Sequence, residues 1–345
     1  MIATFGRSFW VLDDVTPLRQ MDAHVAAADA WLFRGGAAYR VRPGGDQGTP
    51  VPMDEALASN PPDGAAVDYY LRQKASGPVQ LEILDSEGKL VRRFTSNDEL
   101  RKTDPKDVEF PMQWVRDPQP LSAEAGIHRF VWDLRYPLPQ SVHTTYWGPT
   151  GPWAAPGTYI VRLTANGKSI SQPLTIKMDP RVKATQTELM RQFELASRLA
   201  ARLGEASSAM QQAGELRKQI EARKKESSGN AELQQALAAL EKKIEVPAEA
   251  DSDAYFGLFG LAVPGEVNPP LRKVAAALAG MLTIVESADG APTADAATAS
   301  EKWEASAQAA LARWTALQRE EIVGVNAFLQ KANLKPLKIE PAPKR

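Results

Sequence analysis

Apolar and polar residues alternate along several short segments between residues 63 and 178, and this period of two predicts β-strands. The clearest pair is 159–164 and 169–176, which Asn166 and Gly167 join. Asn-Gly between two alternating segments is a strong hairpin signal because both residues tolerate positive φ. Several short strands separated by turns predict a β-sandwich of the immunoglobulin or fibronectin type III kind. The other predicted strands are 66–71, 79–84, 89–94 and 128–134.

Beyond these strands the apolar positions recur every three or four residues, which predicts amphipathic helices. Thr185 and Glu188 have the spacing of a capping box at the start of the first helix. A turn at 227–230 predicts a second helix, Asn268 before two prolines predicts the cap of a third, and a fourth is predicted from about 296 to 332. An amphipathic helix cannot bury its apolar face without a neighbour, so we expect an α-helical bundle or long helical hairpins.

The 345 residues are therefore predicted to form an α+β multidomain protein. The amino-terminal part contains a predicted strand at 8–12 and a predicted short helix at 21–30. The segment 35–62 is rich in Gly, Pro and Asp, which is typical of a linker or of a loop that wraps the next domain. We predict four regions in chain order: an amino-terminal strand with a linker over 1–60, an immunoglobulin-like β-sandwich over 61–178, a helical region over 179–335 and an extended tail over 336–345.

Charge and cysteine content narrow the classes of function. The chain has 41 basic and 42 acidic side chains, and this balance gives no electrostatic basis for binding nucleic acid or an anionic membrane. The lack of cysteine excludes disulfides, thiol nucleophiles and thiolate metal sites. No apolar run approaches the ~20 residues of a membrane span. Residues 1–7 lack the basic and apolar parts of an export signal, which predicts a cytoplasmic product.

The segment 4–14, which contains Phe5, Phe9 and Trp10, resembles the closing strand of the β-propeller in large bacterial sortilin-like, BNR-repeat proteins. Proteins of that family are often labelled glycosyl hydrolases, and the longer ones are exported. The family usually has histidine where this chain has Phe5, and its propeller is absent from this sequence. Motifs of the sandwich that follows the propeller resemble three further segments, 60–65, 132–136 and 156–159. Motifs of the helical tail resemble two more, 179–181 and 289–293.

The resemblance implies a carboxy-terminal region that packs against a β-propeller domain or chain, with residues 1–60 as the remnant of the last propeller blade plus a linker. We therefore expect a non-catalytic accessory or interaction module, whose apolar contact surface includes Phe5, Phe9, Trp10 and Trp31. Any glycosidase activity in the family would lie on the propeller. The sandwich motifs also resemble the domain of the flagellar hook-assembly scaffold, so an assembly scaffold remains an alternative.

A search for catalytic chemistry gives few candidates. His24, His128 and His143 are far apart in sequence and form no metal-binding motif, so we predict no metal site. The sequence contains no Gly-x-Ser-x-Gly elbow and no glycine-rich phosphate loop. His128 is expected on the surface or edge of a sheet. We predict no catalytic residue and no cofactor.

An aromatic loop leaves a carbohydrate-binding or glycoside-hydrolase-like protein as a further alternative. Tyr146, Trp147 and Trp153 lie in a segment rich in Gly and Pro, where aromatic rings stack on sugars or pack over the sandwich core. Glycoside hydrolysis also needs two carboxylates on either side of a sugar. The segment 85–89 faintly resembles the aspartate box of BNR repeats, but a hairpin turn explains it better.

Overall fold

The computed structural model shows an α+β protein. Its contacts divide the chain into two compact units, the first formed by Met1–Pro137 with Trp153–Gln186 and the second by Leu138–Pro152 with Thr187–Arg345. The structure describes residues 2–3, 9–10, 12, 14–42, 63–99, 103–108, 112, 120–142, 149–244 and 268–339.

The described part of the first unit contains ten strands, two short α-helices and a 3-10 helical turn at Pro105–Asp107. The helices are α1, Thr16–Gln20, and α2, Ala23–Ala27. The strands are β1, Ile2–Ala3; β2, Phe9–Trp10; β3, Ala30–Leu32; β4, Ala38–Arg40; β5, Ala65–Leu71; β6, Gln80–Leu84; β7, Leu90–Thr95; β8, Gly126–Trp132; β9, Gly157–Ala165; and β10, Lys168–Met178.

These strands form a five-stranded sheet in the order β4-β10-β9-β6-β7 and a three-stranded sheet in the order β3-β5-β8. A separate pair joins β1 to β2. Every pairing is antiparallel except that of β4 with β10. The predicted strands between residues 63 and 178 are thus confirmed, although β8 ends two residues before the predicted end.

The hairpin between β9 and β10 forms where the Asn-Gly pair predicted it. Ala165 pairs with Lys168, while Asn166 and Gly167 take φ values of 50° and 74°. The side chain of Asn166 also accepts hydrogen bonds from the backbone N and Oγ of Ser76, at 2.9 and 3.1 Å. Local turn chemistry therefore fixes the register of the longest strand pair.

The two larger sheets bury one shared hydrophobic cluster. Along β9 the side chains of alternate residues are buried, as the period of two requires: Tyr159, Val161, Leu163 and Ala165. Trp132 at the end of β8 is fully buried, and its ring lies edge-on to that of Tyr159 with centroids 5.7 Å apart. Its indole N donates to the carbonyl of Arg135 at 3.0 Å, so the one polar atom of this side chain is satisfied.

The segment 30–40 departs from its prediction, because it contributes one strand to each of the two larger sheets. We predicted a linker from residue 35 onward, but β4 extends the larger sheet by pairing in parallel with the end of β10. The partners Ala38 and Ile176 are distant in sequence. Such a pairing leaves no local pattern, because a strand of three residues is too short to show alternation.

The corner after β10 is held by Asp179, which accepts bonds from the backbone N and guanidinium of Arg181 at 2.9 and 2.6 Å. The side-chain bond from Arg181 is the main reason that the pKa of Asp179 falls to about 2. A carboxyl group with a lowered pKa stabilises the fold above its ordinary pKa, and this contribution is lost as the pH falls through about 2.

We expect an NMR titration of the Asp179 carboxyl carbon to give a midpoint near 2, and Arg181→Gln to move it up toward 3.8. Lys183→Gln is the matched control, since it removes a nearby charge and leaves both hydrogen bonds to Asp179 in place. An unchanged midpoint in Arg181→Gln would contradict this account of the corner.

The second unit is helical in its described residues. Its helices are α3, Gln186–Glu226; α4, Ala231–Lys243; α5, Leu271–Val285; α6, Ala294–Leu317; and α7, Val323–Lys331, with a π-helical turn at Gln318–Ile322 between the last two. Asn230 and Thr293 cap α4 and α6 through their side chains. The predicted cap by Asn268 was wrong: α5 begins after Pro270 without a side-chain cap, and Asn268 accepts a bond from Arg313.

The helices bury one hydrophobic cluster to which each contributes, for example Leu199, Leu237, Leu278, Trp303 and Leu329. A buried glutamine, Gln192, lies among them. Its amide nitrogen donates to the carbonyls of Val285, at 2.7 Å, and Ala288. This side chain therefore satisfies carbonyl groups at the carboxyl end of α5, where the helix itself supplies no donors.

Candidate interaction surface

Two short helices, α1 and α2, are fixed to the first unit by polar side chains. Gln20 at the end of α1 makes a two-way contact with Arg34, since its amide nitrogen donates to the Arg34 carbonyl at 2.9 Å and its oxygen accepts from the Arg34 backbone N at 3.0 Å. Asp22 caps α2 by accepting from the backbone N of Val25 at 2.8 Å. Val25 and Phe33 are buried, so the segment has its own apolar contacts.

The start of α1 is set by Asp14, whose carboxylate accepts from the backbone N of Thr16 at 2.8 Å. Hydrogen bonding to Thr16 lowers the pKa of Asp14, and the charges of Arg129 and Arg19 act in the same direction. A carboxylate at this position also interacts favourably with the positive end of the helix dipole. The carboxylate of Asp14 therefore pairs one of the backbone N–H groups in the first turn of α1.

Three large apolar side chains are exposed in α1 and just before it. Leu12 is 55% exposed, Val15 36% and Leu18 54%. We call these three residues the apolar stripe. Val15 is the residue before α1, and Leu18 lies in the middle of that helix. Scattered apolar residues are common on surfaces, but neighbouring exposed ones indicate an interaction site.

Trp31 is the member of the predicted partner surface whose side chain the structure describes. It lies on β3, is partly buried, and has the ring of His24 edge-on to it with centroids 5.5 Å apart. Across the three-stranded sheet it pairs with Tyr70, which pairs with Ile127, and Ile127 is 45% exposed. The buried indole N of Trp31 finds no hydrogen-bond partner within the described part of the chain.

The other residues predicted for this surface are described less fully. Phe5 lies outside the described residues. Phe9 and Trp10 form β2, where they pair with Ala3 and Ile2 of β1. For these two residues the structure describes the backbone alone. The predicted surface on Phe5, Phe9, Trp10 and Trp31 therefore stays a prediction as a group.

Of the predicted aromatic loop, Tyr146 and Trp147 lie outside the described residues, while Trp153 belongs to the core of the first unit. Trp153 is only 7% exposed, and the guanidinium groups of three arginines lie near its ring. The distances from ring centroid to guanidinium carbon are 4.1 Å for Arg135, 5.4 Å for Arg40 and 5.6 Å for Arg42. Because sugar stacking needs an open ring face, this position favours a packing role for Trp153.

The histidines considered for chemistry lie in separate places. The ring of His128 is 5.2 Å from that of Tyr69, and its Nε2 is 2.6 Å from the carbonyl oxygen of Glu124. His143 lies outside the described residues. Among the residues that are described, no cluster of three or more His, Asp or Glu could hold a metal ion. No described helix is both long and apolar enough to cross a membrane.

The apolar stripe was not predicted from the sequence as a site, although residues 12, 15 and 18 carry a visible three-residue spacing. Leu12 was assigned to the predicted strand at 8–12, which obscured that spacing. Comparisons of the chain with protein-family models, curated proteins and solved structures found no match.

Proposed function

We propose that this chain is a non-catalytic interaction module that packs against a β-propeller through the apolar stripe. The observation that carries the proposal is the exposure of Leu12, Val15 and Leu18 in and just before α1, the end of which is held by the bonds between Gln20 and Arg34. The resemblance of residues 4–14 to the closing strand of a propeller supplies the class of partner. Within this proposal the first unit is an immunoglobulin-like sandwich and the second a helical bundle.

The energetics of the stripe support such a contact. Burying a leucine side chain contributes about 1.5–3 kcal/mol relative to leaving it in water, and the stripe contains two leucines more than half exposed. Binding is opposed by the entropy of ordering loops and side chains. The hydrogen bonds of Asp14, Gln20 and Asp22 hold α1 and α2 in place within the chain, which reduces that cost.

The architecture offered by each unit is consistent with the two proposed folds. In the first unit two mostly antiparallel sheets share a single buried cluster, which is the arrangement of a sandwich. In the second unit α3 to α7 all contribute to a single cluster. Neither feature requires a catalytic centre, and the first unit can act as a scaffold that presents the stripe.

The proposal predicts that Leu18→Glu weakens binding to a β-propeller from a sortilin-like, BNR-repeat protein. A buried carboxylate without a partner opposes association, so we expect the dissociation constant to rise about tenfold or more. Isothermal titration calorimetry with the full chain measures this change. Leu18 is exposed in the free protein, so the substitution should leave the thermal midpoint within about 2 °C of the wild type.

Ile284→Glu is the matched control, because Ile284 in the second unit has the same 54% exposure and lies outside the stripe. It is expected to bind like the wild type. Failure of the wild-type chain to form any complex with such a propeller, or equal affinities of Leu18→Glu and the wild type, would refute the proposal.

A further inference from the structure

The tip of the hairpin between β9 and β10 carries the residues for a spontaneous covalent modification. Asn166 is followed by Gly167, and no other asparagine of the sequence precedes a glycine. The side-chain carbonyl carbon of asparagine is an electrophile, and the backbone N of the next residue attacks it to close a five-membered ring. Glycine favours this attack because it has no Cβ to obstruct the approach. Both residues are exposed, so water reaches the ring once it has formed.

The reaction replaces an amide by a carboxylate in two steps. First the Gly167 nitrogen forms a bond to Cγ of Asn166, and the side-chain nitrogen leaves as ammonia, taking the hydrogen of the Gly167 N–H with it. Water then opens the resulting succinimide at one of its two carbonyl carbons. Attack at Cγ gives aspartate with the original main chain, and attack at the backbone carbon gives isoaspartate. Neither step is a redox step, and water is the one co-reactant.

The folded hairpin keeps the two reacting groups apart. Asn166 and Gly167 have φ values of 50° and 74°, and positive φ at both central residues is the mark of a type I′ turn. In such a turn the ψ of the first central residue is about +30°. The Cβ of Asn166 and the Gly167 nitrogen then lie on opposite sides of the Cα–C bond, whereas ring closure needs them on the same side. The turn must therefore open before the ring can close.

Ser76 holds the Asn166 side chain from outside the hairpin. Its backbone N and its hydroxyl donate to Oδ1 of Asn166 at 2.9 and 3.1 Å. Ser76 lies in the loop between β5 and β6, so the two bonds join the hairpin tip to a segment 90 residues earlier in the chain. Opening of the turn requires that both bonds break, because the side chain has to rotate away from Ser76. Ser76 is therefore a positioning residue that slows the reaction.

We propose that Asn166 is a site of spontaneous conversion to aspartate and isoaspartate, at a rate set by opening of the hairpin tip. The two products affect the fold differently. An aspartate carboxylate accepts the same two bonds from Ser76, in a cavity that Arg72 and Lys74 also line. Isoaspartate adds one methylene group to the main chain of a two-residue turn, so the turn no longer fits the register of β9 and β10. This proposal is independent of the apolar stripe.

Mass spectrometry during incubation of the full chain at mildly alkaline pH tests the proposal, with electron-transfer fragmentation to distinguish isoaspartate from aspartate. A synthetic peptide of residues 160–172 is the reference, because it lacks Ser76 and a two-stranded hairpin is at best marginally stable in water. We expect Asn166 to convert at least about tenfold more slowly in the full chain than in the peptide, since the reaction waits for local opening. Ser76→Ala removes one of the two bonds and should raise the rate in the full chain about two- to tenfold.

Ser86→Ala is the matched control, because Ser86 is exposed in the turn between β6 and β7 and makes neither bond to Asn166. It is expected to convert at the wild-type rate. Equal rates in the full chain and the peptide, or equal rates in Ser76→Ala and the wild type, would overturn the proposal. Absence of conversion at Asn166 in both of these full-length chains, after the peptide has reacted completely, would overturn it too.

Asn166→Asp tests the account of the products separately. Aspartate tolerates positive φ and keeps an acceptor for Ser76, so the thermal midpoint should stay within about 2 °C of the wild type. A much lower midpoint would refute aspartate as the product that the fold accommodates.

Discussion

Replacing Trp132 with alanine is expected to destabilise the first unit by about 3–5 kcal/mol, the range for truncating a large buried aromatic side chain. Trp132 is 0% exposed, and its ring packs edge-on to Tyr159 across the shared cluster. The substitution leaves a cavity and removes the hydrogen bond to the Arg135 carbonyl. Native-state hydrogen exchange of the most protected amides of β5 and β9 measures the change in the free energy of opening.

The matched control for Trp132→Ala is Ile127→Ala on the same strand. Ile127 is 45% exposed, so its truncation should change the free energy by less than about 0.5 kcal/mol. If Trp132→Ala were as stable as this control, the role assigned to Trp132 at the centre of the cluster would be wrong.

Gly64→Ala is expected to destabilise the first unit by about 2–5 kcal/mol, from backbone strain and steric overlap together. Gly64 has a φ of 134°, a conformation that residues with a side chain rarely adopt. An added Cβ would lie 2.2 Å from the carbonyl oxygen of Trp132 and 2.9 Å from Cγ1 of Val131. The backbone before β5 would have to move, disturbing the pairing of Ala65 with Trp132. Urea unfolding followed by circular dichroism measures the loss.

Gly36→Ala provides the comparison for Gly64→Ala, because no atom lies within 4 Å of the Cβ position at Gly36. It is expected to be neutral or slightly stabilising, through the lower entropy of the unfolded chain. Equal unfolding midpoints for Gly64→Ala and Gly36→Ala would show that the packing of the segment before β5 is not as described.

The elements that the sequence predicts well are those coded by neighbouring residues. The hairpin at Asn166 and Gly167 follows from turn chemistry, and α3 and α4 follow from the apolar period with a polar turn between them. Asn268 shows the limit of such local signals. A capping residue before proline was plausible, yet Asn268 adopts a φ of 56° and contacts Arg313 of α6, which lies far along the chain.

Short non-local elements could not be predicted in the same way. β4 has three residues and exists because the end of β10 offers it an edge, so its strand character is tertiary in origin. The same holds for Trp153, whose neighbours Arg40 and Arg135 come from distant parts of the sequence. From the sequence, an aromatic residue in a Gly/Pro-rich loop fits a sugar-stacking site and a core position equally well. Only the burial of its side chain in the structure distinguishes the two roles.

The apolar stripe differs from the surface that the sequence predicted on Phe5, Phe9, Trp10 and Trp31, and that prediction stays a prediction. Exposed apolar side chains near the amino terminus were expected, and the stripe at Leu12, Val15 and Leu18 is such a group. Trp31 was expected to be part of it but is partly buried beside His24. Exposure depends on how α1 and α2 lie on the first unit, which bonds such as Gln20 to Arg34 determine and no periodicity reveals.

Hydrogen exchange of the full chain, alone and mixed with a β-propeller from a sortilin-like, BNR-repeat protein, tests the central claim most directly. The account predicts slowed exchange at the amides of residues 12–20, which include the stripe and α1, and unchanged exchange in α3 to α7. Exchange at residues 12–20 that is the same with and without the propeller, while other amides become protected, would contradict the apolar stripe as the contact surface.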